Sequence, residues 1–167
     1  GYKGFITTWN GSPTFIGKSS TQVNSISKIG DSIIAVGQSS EKLLNTNLKG
    51  KADGFLAKIS ENKLISVQRS SDTNSNRAWR SNNSSLLLGG NSNSTAVITK
   101  FNNNFTPVWT DRYPSNGAAL TAVVGKLNYG AFISTGAFKA LPSWKRKGLL
   151  ILTFDGKGLI KIGRAHV

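Results

Sequence analysis

The sequence has no cysteine and no methionine among its 167 residues, and it has a single histidine, His166. The absence of cysteine excludes disulfides, thiolate zinc sites and cysteine nucleophiles from this chain. No apolar run approaches the roughly 20 residues that a membrane-spanning helix needs. Because the usual catalytic triads and the nitrogen or sulfur metal sites need histidine or cysteine, we expect no metal and no cofactor.

Acidic residues are also scarce. Seven aspartates and glutamates stand against 21 lysines and arginines, which gives a formal net charge of +14. Such a surplus favours either a solvated basic surface or an anionic partner such as an acidic glycan, another polyanion or a protein. The densest basic cluster is only Lys145–Lys147, so the charge pattern disfavours nucleic acid as the partner.

The sequence does contain an internal repeat. Four segments each read as a strand, a polar turn and a second strand, and their equivalent apolar positions recur at intervals of about 40 to 50 residues. The turns are rich in Asn, Asp and Gly, which tolerate the positive φ of tight hairpins. They fall at Asn10-Gly11-Ser12, Glu61-Asn62-Lys63, Asn102-Asn103-Asn104 and Asp155-Gly156-Lys157-Gly158. We therefore predict four β-hairpins.

A second repeated pair of strands lies between successive hairpins. Each pair has a short strand, a polar turn and an apolar strand that runs into a glycine, at Gly37, Gly89 and Gly136. The apolar strands, such as SIIAV and SLLLGG, are nearly continuous rather than alternating, which is typical of strands covered on both faces. No segment has a helical period. The predicted fold class is all-β, with consecutive four-stranded antiparallel units.

The repeat resembles a known family. The segment DGFLAKISENKLISVQRSS, followed by a polar link and SLLLGGNSN, is similar to the repeats of bacterial β-propeller proteins. The matching positions are Asp53, Phe55, Lys58, Val67 and Gly89. Trp109 fits the Trp-containing strand of that family, whereas the equivalent strands TFIGKSS and LISVQRSS have no tryptophan. The resemblance implies a β-propeller fragment, an incomplete ring of about three and a half four-stranded blades.

The same resemblance sets the blade boundaries within residues 1–160. It implies two strands in residues 4–20, complete blades in residues 23–71 and 76–113, and a partial blade in residues 119–160. The tryptophans within this arc are expected to pack between blades. They are Trp9, Trp79 and Trp109.

The last seven residues, KIGRAHV, have a different origin in our interpretation. The codons AAG ATC GGA AGA GCA CAC GTC encode them, and from ATC onward that string is the start of a common short-read sequencing adapter. We therefore expect residues 161–167 to be a non-native tail. His166 would otherwise be a natural general base or metal ligand, and we expect it to have no function.

Two long loops contain the candidate binding residues. Alternate connections of a four-stranded antiparallel blade lie on the same face, so we expect the loops 39–52 and 138–148 to share one. They carry Lys42, Lys49, Lys51, Lys139, Trp144, Lys145, Arg146 and Lys147. A basic patch with an exposed aromatic group suits an acidic glycan or polyanion. The alternative is that apolar residues pin the loops down while the lysines face water, namely Leu43, Leu44, Leu141 and Trp144.

These features predict a non-catalytic binding or structural module of an exported or surface bacterial protein. The alternative is a fragment of a propeller enzyme, either a hydrolase or a quinoprotein-type oxidoreductase, whose catalytic residues lie in missing blades. Both stay open because propeller families include enzymes as well as binding modules. The sequence assigns no catalytic residue.

Overall fold

A computed structural model describes residues 1–69, 80–81, 87–92, 95–102, 104–126, 129–138, 148–155 and 158–164. The chain divides into two compact units, Gly1–Trp79 and Arg80–Val167. Throughout the described residues the regular structure is β-strand without any helix, and neighbouring strands run antiparallel. The all-β antiparallel class predicted from the sequence is confirmed.

The first unit contains a short hairpin and a four-stranded sheet. The hairpin pairs β1 (Phe5–Ile6) with β2 (Thr14–Phe15). The sheet is a meander of β3 (Thr21–Ile29), β4 (Ser32–Ser39), β5 (Asp53–Ser60) and β6 (Lys63–Arg69). Tight turns join β3 to β4 and β5 to β6 at one end of this first sheet, and the β4–β5 loop (residues 40–52) lies at the other end. The sheet spans Thr21–Arg69, close to the segment 23–71 in which the sequence predicts one four-stranded unit.

The turn residues explain where the meander reverses direction. Glu61 and Asn62 have φ angles of 49° and 57°, and positive φ at both loop positions is the signature of a type I′ hairpin turn. Gly30, the first residue of the β3–β4 turn, has a φ of 57°, which glycine adopts without a steric penalty. Both turns fall where the sequence predicts them.

The core of the first unit packs against one face of the first sheet. Alternate residues of β5 belong to it, and Phe55, Ala57 and Ile59 are at most 2% exposed. Ile16, which follows β2, and Leu43, from the β4–β5 loop, pack into the same cluster. Each large apolar side chain buried in this way stabilises the fold by roughly 1.5–3 kcal/mol. The core therefore joins the hairpin, the sheet and the β4–β5 loop.

β4 is buried on both of its faces. The consecutive residues 34–36 are all 0% exposed, which confirms the prediction made from the continuous apolar run SIIAV. The run ends at Gly37, where a Cβ atom would lie 1.9 Å from the backbone oxygen of Gln22 on β3. That distance is far below a van der Waals contact, so the close approach of β3 requires glycine at this position.

The second unit is one seven-stranded antiparallel sheet in which each strand pairs with the next along the chain. Its strands are β7 (Arg80–Ser81), β8 (Leu87–Ser92), β9 (Thr95–Phe101), β10 (Pro107–Lys126), β11 (Tyr129–Phe138), β12 (Gly148–Asp155) and β13 (Gly158–Arg164). β10 is 20 residues long; it pairs with β9 as far as Pro114 and with β11 from Ser115 onward. The predicted blade boundary between residues 113 and 119 therefore falls inside a continuous strand. Neither separate blades nor a closed ring is seen in the described part of this unit.

The β9–β10 turn is closed by a side chain. Oδ1 of Asn102 accepts hydrogen bonds from the backbone N–H groups of Asn104 and Thr106, both at 2.9 Å. This turn lies where the run of asparagines predicts it, because asparagine side chains bond readily to backbone groups a few residues ahead. At the other end of the unit, β13 extends to Arg164. It thus enters the predicted tail 161–167, of which residues 165–167, including His166, lie outside the described residues.

The expectation that Trp9 packs between blades is wrong. Trp9 lies in the turn of the first hairpin rather than in a strand, and its side chain is 98% exposed. The backbone N–H of Gly11 closes this turn by donating to the carbonyl oxygen of Thr8 at 3.1 Å. The flanking strands have only two residues each. Trp9 therefore lies outside the paired strands, and its side chain does not reach the core. Trp109 lies within β10 and is half-buried, and Trp79 falls outside the described residues.

Candidate anion-binding site

The β4–β5 loop presents three of the predicted binding residues, since Lys42, Lys49 and Lys51 are all exposed. Leu43 anchors the beginning of the loop: its side chain is 1% exposed within the core. Its backbone exchanges two hydrogen bonds with Thr46, at 3.2 and 2.8 Å. The loop is therefore a folded segment with outward-facing lysines.

The two leucines predicted to pin this loop have different environments. The prediction is confirmed for Leu43 and wrong for Leu44, which is 45% exposed. Leu44 also has a φ of 46°, in the left-handed region that is sterically unfavourable for a residue with a Cβ. The tight turn between Leu43 and Thr46 imposes this conformation and directs the Leu44 side chain away from the core.

Asp53 anchors the end of the loop. Its side chain is 0% exposed, and its carboxylate accepts hydrogen bonds from the backbone N–H groups of Lys49 at 2.6 Å and Gly50 at 2.9 Å. These bonds fix the backbone from which the Lys49 side chain extends. Near the buried end of the loop these two N–H groups would otherwise have no partner, and the carboxylate of Asp53 provides one for each.

Arg69, at the end of β6, contacts residues at both the start and the end of the loop. Its guanidinium lies 3.6 Å from the Asp53 carboxylate. It also donates to the hydroxyl of Thr46 at 3.3 Å, to the backbone oxygen of Ser39 at 3.5 Å and to the backbone oxygen of Glu41. Burial lowers the pKa of Arg69, and the carboxylates of Asp53 and Glu41 oppose that shift. One buried cation therefore ties both ends of the loop to the sheet.

Glu41 binds a cradle formed by the segment that follows β2. Its carboxylate accepts backbone hydrogen bonds from Lys18, Ser19 and Ser20, and hydroxyl hydrogen bonds from Ser19 and Thr21, at 2.7–3.2 Å. Burial is the largest single influence on the pKa of Glu41 and raises it. The hydrogen bonds from Ser19, Thr21 and Ser20 together outweigh burial and lower this pKa from 4.5 to about 2.

The geometry separates the negative charges of the loop from its positive ones. Glu41 and Asp53, the two acids that flank the loop, are both turned toward donors of the protein itself. The Asp53 carboxylate forms an ion pair with Arg69 rather than with a lysine of the loop. The exposed lysines of the loop are therefore not neutralised by a salt bridge to a described acid. These exposed lysines can attract an anion.

The remaining predicted binding residues belong to the loop 138–148. Lys139, Trp144, Lys145, Arg146 and Lys147 lie outside the described residues, so the joint basic face of the two loops stays a prediction. Leu141 lies outside them as well. In the described part of the chain no three His, Cys, Asp or Glu side chains cluster as a metal site would require.

Sequence reasoning did not find Glu41 and Arg69, which organise the site. Glu41 is one of only seven acids in a basic chain and directly follows QSS, a stretch with two serines. This local pattern is the only signal in the sequence that could have suggested a hydrogen-bonded carboxylate. Arg69 is likewise next to two serines in the sequence, but its partners Asp53, Thr46 and Glu41 reach it only through strand pairing and the fold of the β4–β5 loop.

Comparison with known proteins does not identify the chain: no protein-family model matches it, and no curated protein is significantly similar to it. Nor do the described residues include a helix with the length and apolar character needed to cross a membrane.

Proposed function

We propose that the chain is an arc of a β-propeller that acts as a non-catalytic binding module of an exported or surface protein, with its basic loop face directed at a polyanion. The four-stranded antiparallel meander β3–β6 supports the architecture, since it has the strand number and connectivity of one blade. The family resemblance of DGFLAKISENKLISVQRSS supports the same assignment. We also propose that the loop 138–148 binds anions through its own basic and aromatic residues, namely Lys139, Trp144, Lys145, Arg146 and Lys147.

One observation supports the binding role above the others. The β4–β5 loop has exposed lysines on a backbone that is held at both ends by buried groups, Leu43 at its start and Asp53 at its end. Holding the backbone in place lowers the entropy that the loop would lose on binding. The neighbouring carboxylates of Glu41 and Asp53 are occupied by internal donors and do not compete for the lysines. A fixed, unneutralised basic surface is suited to a flexible chain of negative charges, because attraction to such a chain does not need a deep pocket.

Binding to dextran sulfate, with neutral dextran as the reference polymer, tests this function. In the double variant Lys49→Gln/Lys51→Gln, we expect affinity for dextran sulfate to fall about threefold to tenfold at low salt. Raising the salt from about 0.05 M to about 0.3 M should weaken binding of the unmodified protein and reduce the difference between the two proteins.

The double variant Lys28→Gln/Lys63→Gln is a matched control. Both lysines are exposed, and both lie beside the tight turns at the opposite end of the first sheet. The control removes the same charge, so it should change the affinity less than twofold if location matters rather than net charge alone. Equal losses in the two double variants, or equal binding to neutral dextran, would show that the loop is not the binding surface.

A further inference from the structure

A cleft lies on the first unit between the hairpin, the β4–β5 loop and β6. Its volume is about 440 Å³. The lining includes Phe15 and Ile16 from the hairpin side, Leu44 and Lys42 from the loop, Lys18 from the following segment and Leu64 from β6. The interior is thus mostly aliphatic and aromatic, with two lysines as its charged members. No residue of the cleft is assigned to the function proposed above except Lys42.

The apolar lining of the cleft is open to solvent. Phe15 is 51% exposed and Leu44 is 45% exposed. Leu44 is held in the left-handed region by the hydrogen bonds that Leu43 and Thr46 exchange. Non-glycine residues persist in that region when the surrounding structure imposes it, and such positions cluster at ligand sites. The tight turn therefore holds an apolar side chain outward at the cleft.

The charged side chains that line the cleft are both lysines, whereas the Glu41 carboxylate lies against the wall at Gly17, where a Cβ atom would be 2.6 Å from its Oε1. Lys18 and Lys42 are both exposed, and the Asp53 carboxylate is paired with Arg69. Glu41, adjacent to Lys42 in the chain, directs its carboxylate to the backbone N–H groups of residues 18–20. The acid closest in sequence to these lysines is therefore engaged by backbone donors. A negative group that enters beside the apolar lining would find two available cations.

We propose that this cleft binds a small amphipathic anion, in which one carboxylate or sulfate is attached to a single aromatic ring or a short alkyl chain. The apolar part covers Phe15, Leu44 and Leu64, and the negative group lies between Lys18 and Lys42. A volume of about 440 Å³ lies within the range of small-molecule sites, which combine an apolar lining with a few polar groups. This inference goes beyond the proposed function, because it needs neither a propeller ring nor a polymeric ligand.

Isothermal titration of the full chain with three matched probes tests the ligand class. The probes are 4-phenylbutyrate, which has both the ring and the negative charge, acetate, which has the charge alone, and 4-phenylbutylamine, which has the ring with a positive charge. We expect 4-phenylbutyrate to bind at least about tenfold more tightly than either of the others, because burial of the ring and pairing of the charge both contribute. Equal affinity for acetate or for the amine would overturn the proposal.

Three substitutions locate the site, and a fourth serves as the control. Lys18→Gln and Lys42→Gln should each weaken 4-phenylbutyrate binding about two- to fivefold, whereas Lys28→Gln, at the far end of the sheet, should leave it unchanged. Leu44→Gly removes part of the apolar lining and also relieves the unfavourable φ, so it should weaken binding without unfolding the protein. Unchanged affinity in all three cleft variants would place the ligand elsewhere and refute the proposal.

The double variant Lys49→Gln/Lys51→Gln separates this inference from the proposed function. It should lose affinity for dextran sulfate and retain affinity for 4-phenylbutyrate. A loss of 4-phenylbutyrate binding in this variant as large as that in Lys42→Gln would mean that general charge attraction, and not the cleft, holds the anion.

Discussion

The guanidinium of Arg69 lies 3.6 Å from the carboxylate of Asp53, in a pair whose side chains are 1% and 0% exposed. The pair joins the end of β6 to the start of β5. Both side chains also form hydrogen bonds with the β4–β5 loop, which precedes β5. Desolvation offsets much of the attraction between buried charges, so such a pair contributes little net stability compared with apolar residues. Removing only one partner is costly, because the other charge stays buried without compensation.

The first prediction concerns this pair. Arg69→Met should lower the free energy of unfolding by about 3–5 kcal/mol, since it leaves the Asp53 carboxylate buried and unpaired. Asp53→Asn should cost a similar amount, about 3–5 kcal/mol, because it leaves the Arg69 guanidinium without its buried counter-charge and keeps only one oxygen for the two loop donors. Urea unfolding followed by circular dichroism measures both values.

The double variant Arg69→Met/Asp53→Asn completes the cycle. It should be less destabilised than the sum of the two single variants, because the charges are removed together. Gln68→Met is the matched control: Gln68 is the exposed neighbour of Arg69 on β6, and its replacement should change stability by less than about 0.5 kcal/mol. Strict additivity of Arg69→Met and Asp53→Asn would contradict a coupled pair.

The second prediction concerns the pH dependence that Glu41 imposes. Its pKa in the folded protein is about 2, below the ordinary value of 4.5. The carboxylate therefore stabilises the fold fully above about pH 4.5, and this stabilisation is lost as the pH falls toward 2. Because Glu41 is partly exposed and solvent screens its interactions, we expect a contribution of about 1–2 kcal/mol rather than the full value of the shift.

Glu41→Gln should remove this contribution at pH 7 and leave a smaller loss of stability between pH 5 and pH 3 than in the unmodified protein. Urea unfolding at pH 7, 5 and 3 measures the difference. Glu61→Gln is the control: it makes the same chemical change at the exposed β5–β6 turn, where the carboxylate has no such cradle. Its stability should depend on pH in the same way as that of the unmodified protein. A constant stability difference between the Glu41→Gln variant and the unmodified protein at all three pH values would show that the cradle does not stabilise the charged carboxylate.

The sequence predicts the parts of this fold that depend on neighbouring residues. Two turns, β3–β4 and β5–β6, and the apolar strand β4 are local features. The order of residues in each short segment is enough to locate them. The Arg69–Asp53 pair is different, because it depends on the pairing of Phe55 with Arg69 across β5 and β6. That register includes a bulge between Lys58 and Ile59, and a one-residue shift would place the guanidinium on the opposite face.

The candidate site shows the same division between local and long-range information. The sequence is enough to predict that Lys42, Lys49 and Lys51 are exposed, because they are charged and lie in a loop. The cradle of Glu41 could not be predicted, because the residues that form it are about 20 positions earlier in the chain and reach it only once the hairpin packs beside the sheet. Trp9 directly precedes the predicted turn Asn10-Gly11-Ser12, and the two-residue strands of its hairpin are too short to include it.

The third prediction concerns the glycine at the end of β4. Gly37→Ala should destabilise the protein by more than about 2 kcal/mol, because the new Cβ would lie 1.9 Å from the backbone oxygen of Gln22 and only a shift of β3 could relieve the clash. Gly30→Ala is the comparison. A Cβ at Gly30 meets nothing within 4 Å, so only its positive φ matters, and the cost should be about 1 kcal/mol. Thermal and urea unfolding rank the two variants, and a larger loss for Gly30→Ala would contradict the close approach of β3.

The last prediction concerns the β5–β6 turn, where two non-glycine residues have positive φ. Asn62→Gly should raise the free energy of unfolding by about 0.5–1 kcal/mol, because glycine is preferred at the second position of a type I′ turn. The replacement keeps the backbone oxygen of residue 62, which accepts a 2.7 Å hydrogen bond from the hydroxyl of Thr14, so the link to β2 is retained. Ser66→Gly, at an exposed position within β6, introduces the same residue into a strand and should instead destabilise by about 0.5–1 kcal/mol. Urea unfolding of both variants should therefore give shifts of opposite sign, and destabilisation by Asn62→Gly would mean that the turn is not of type I′.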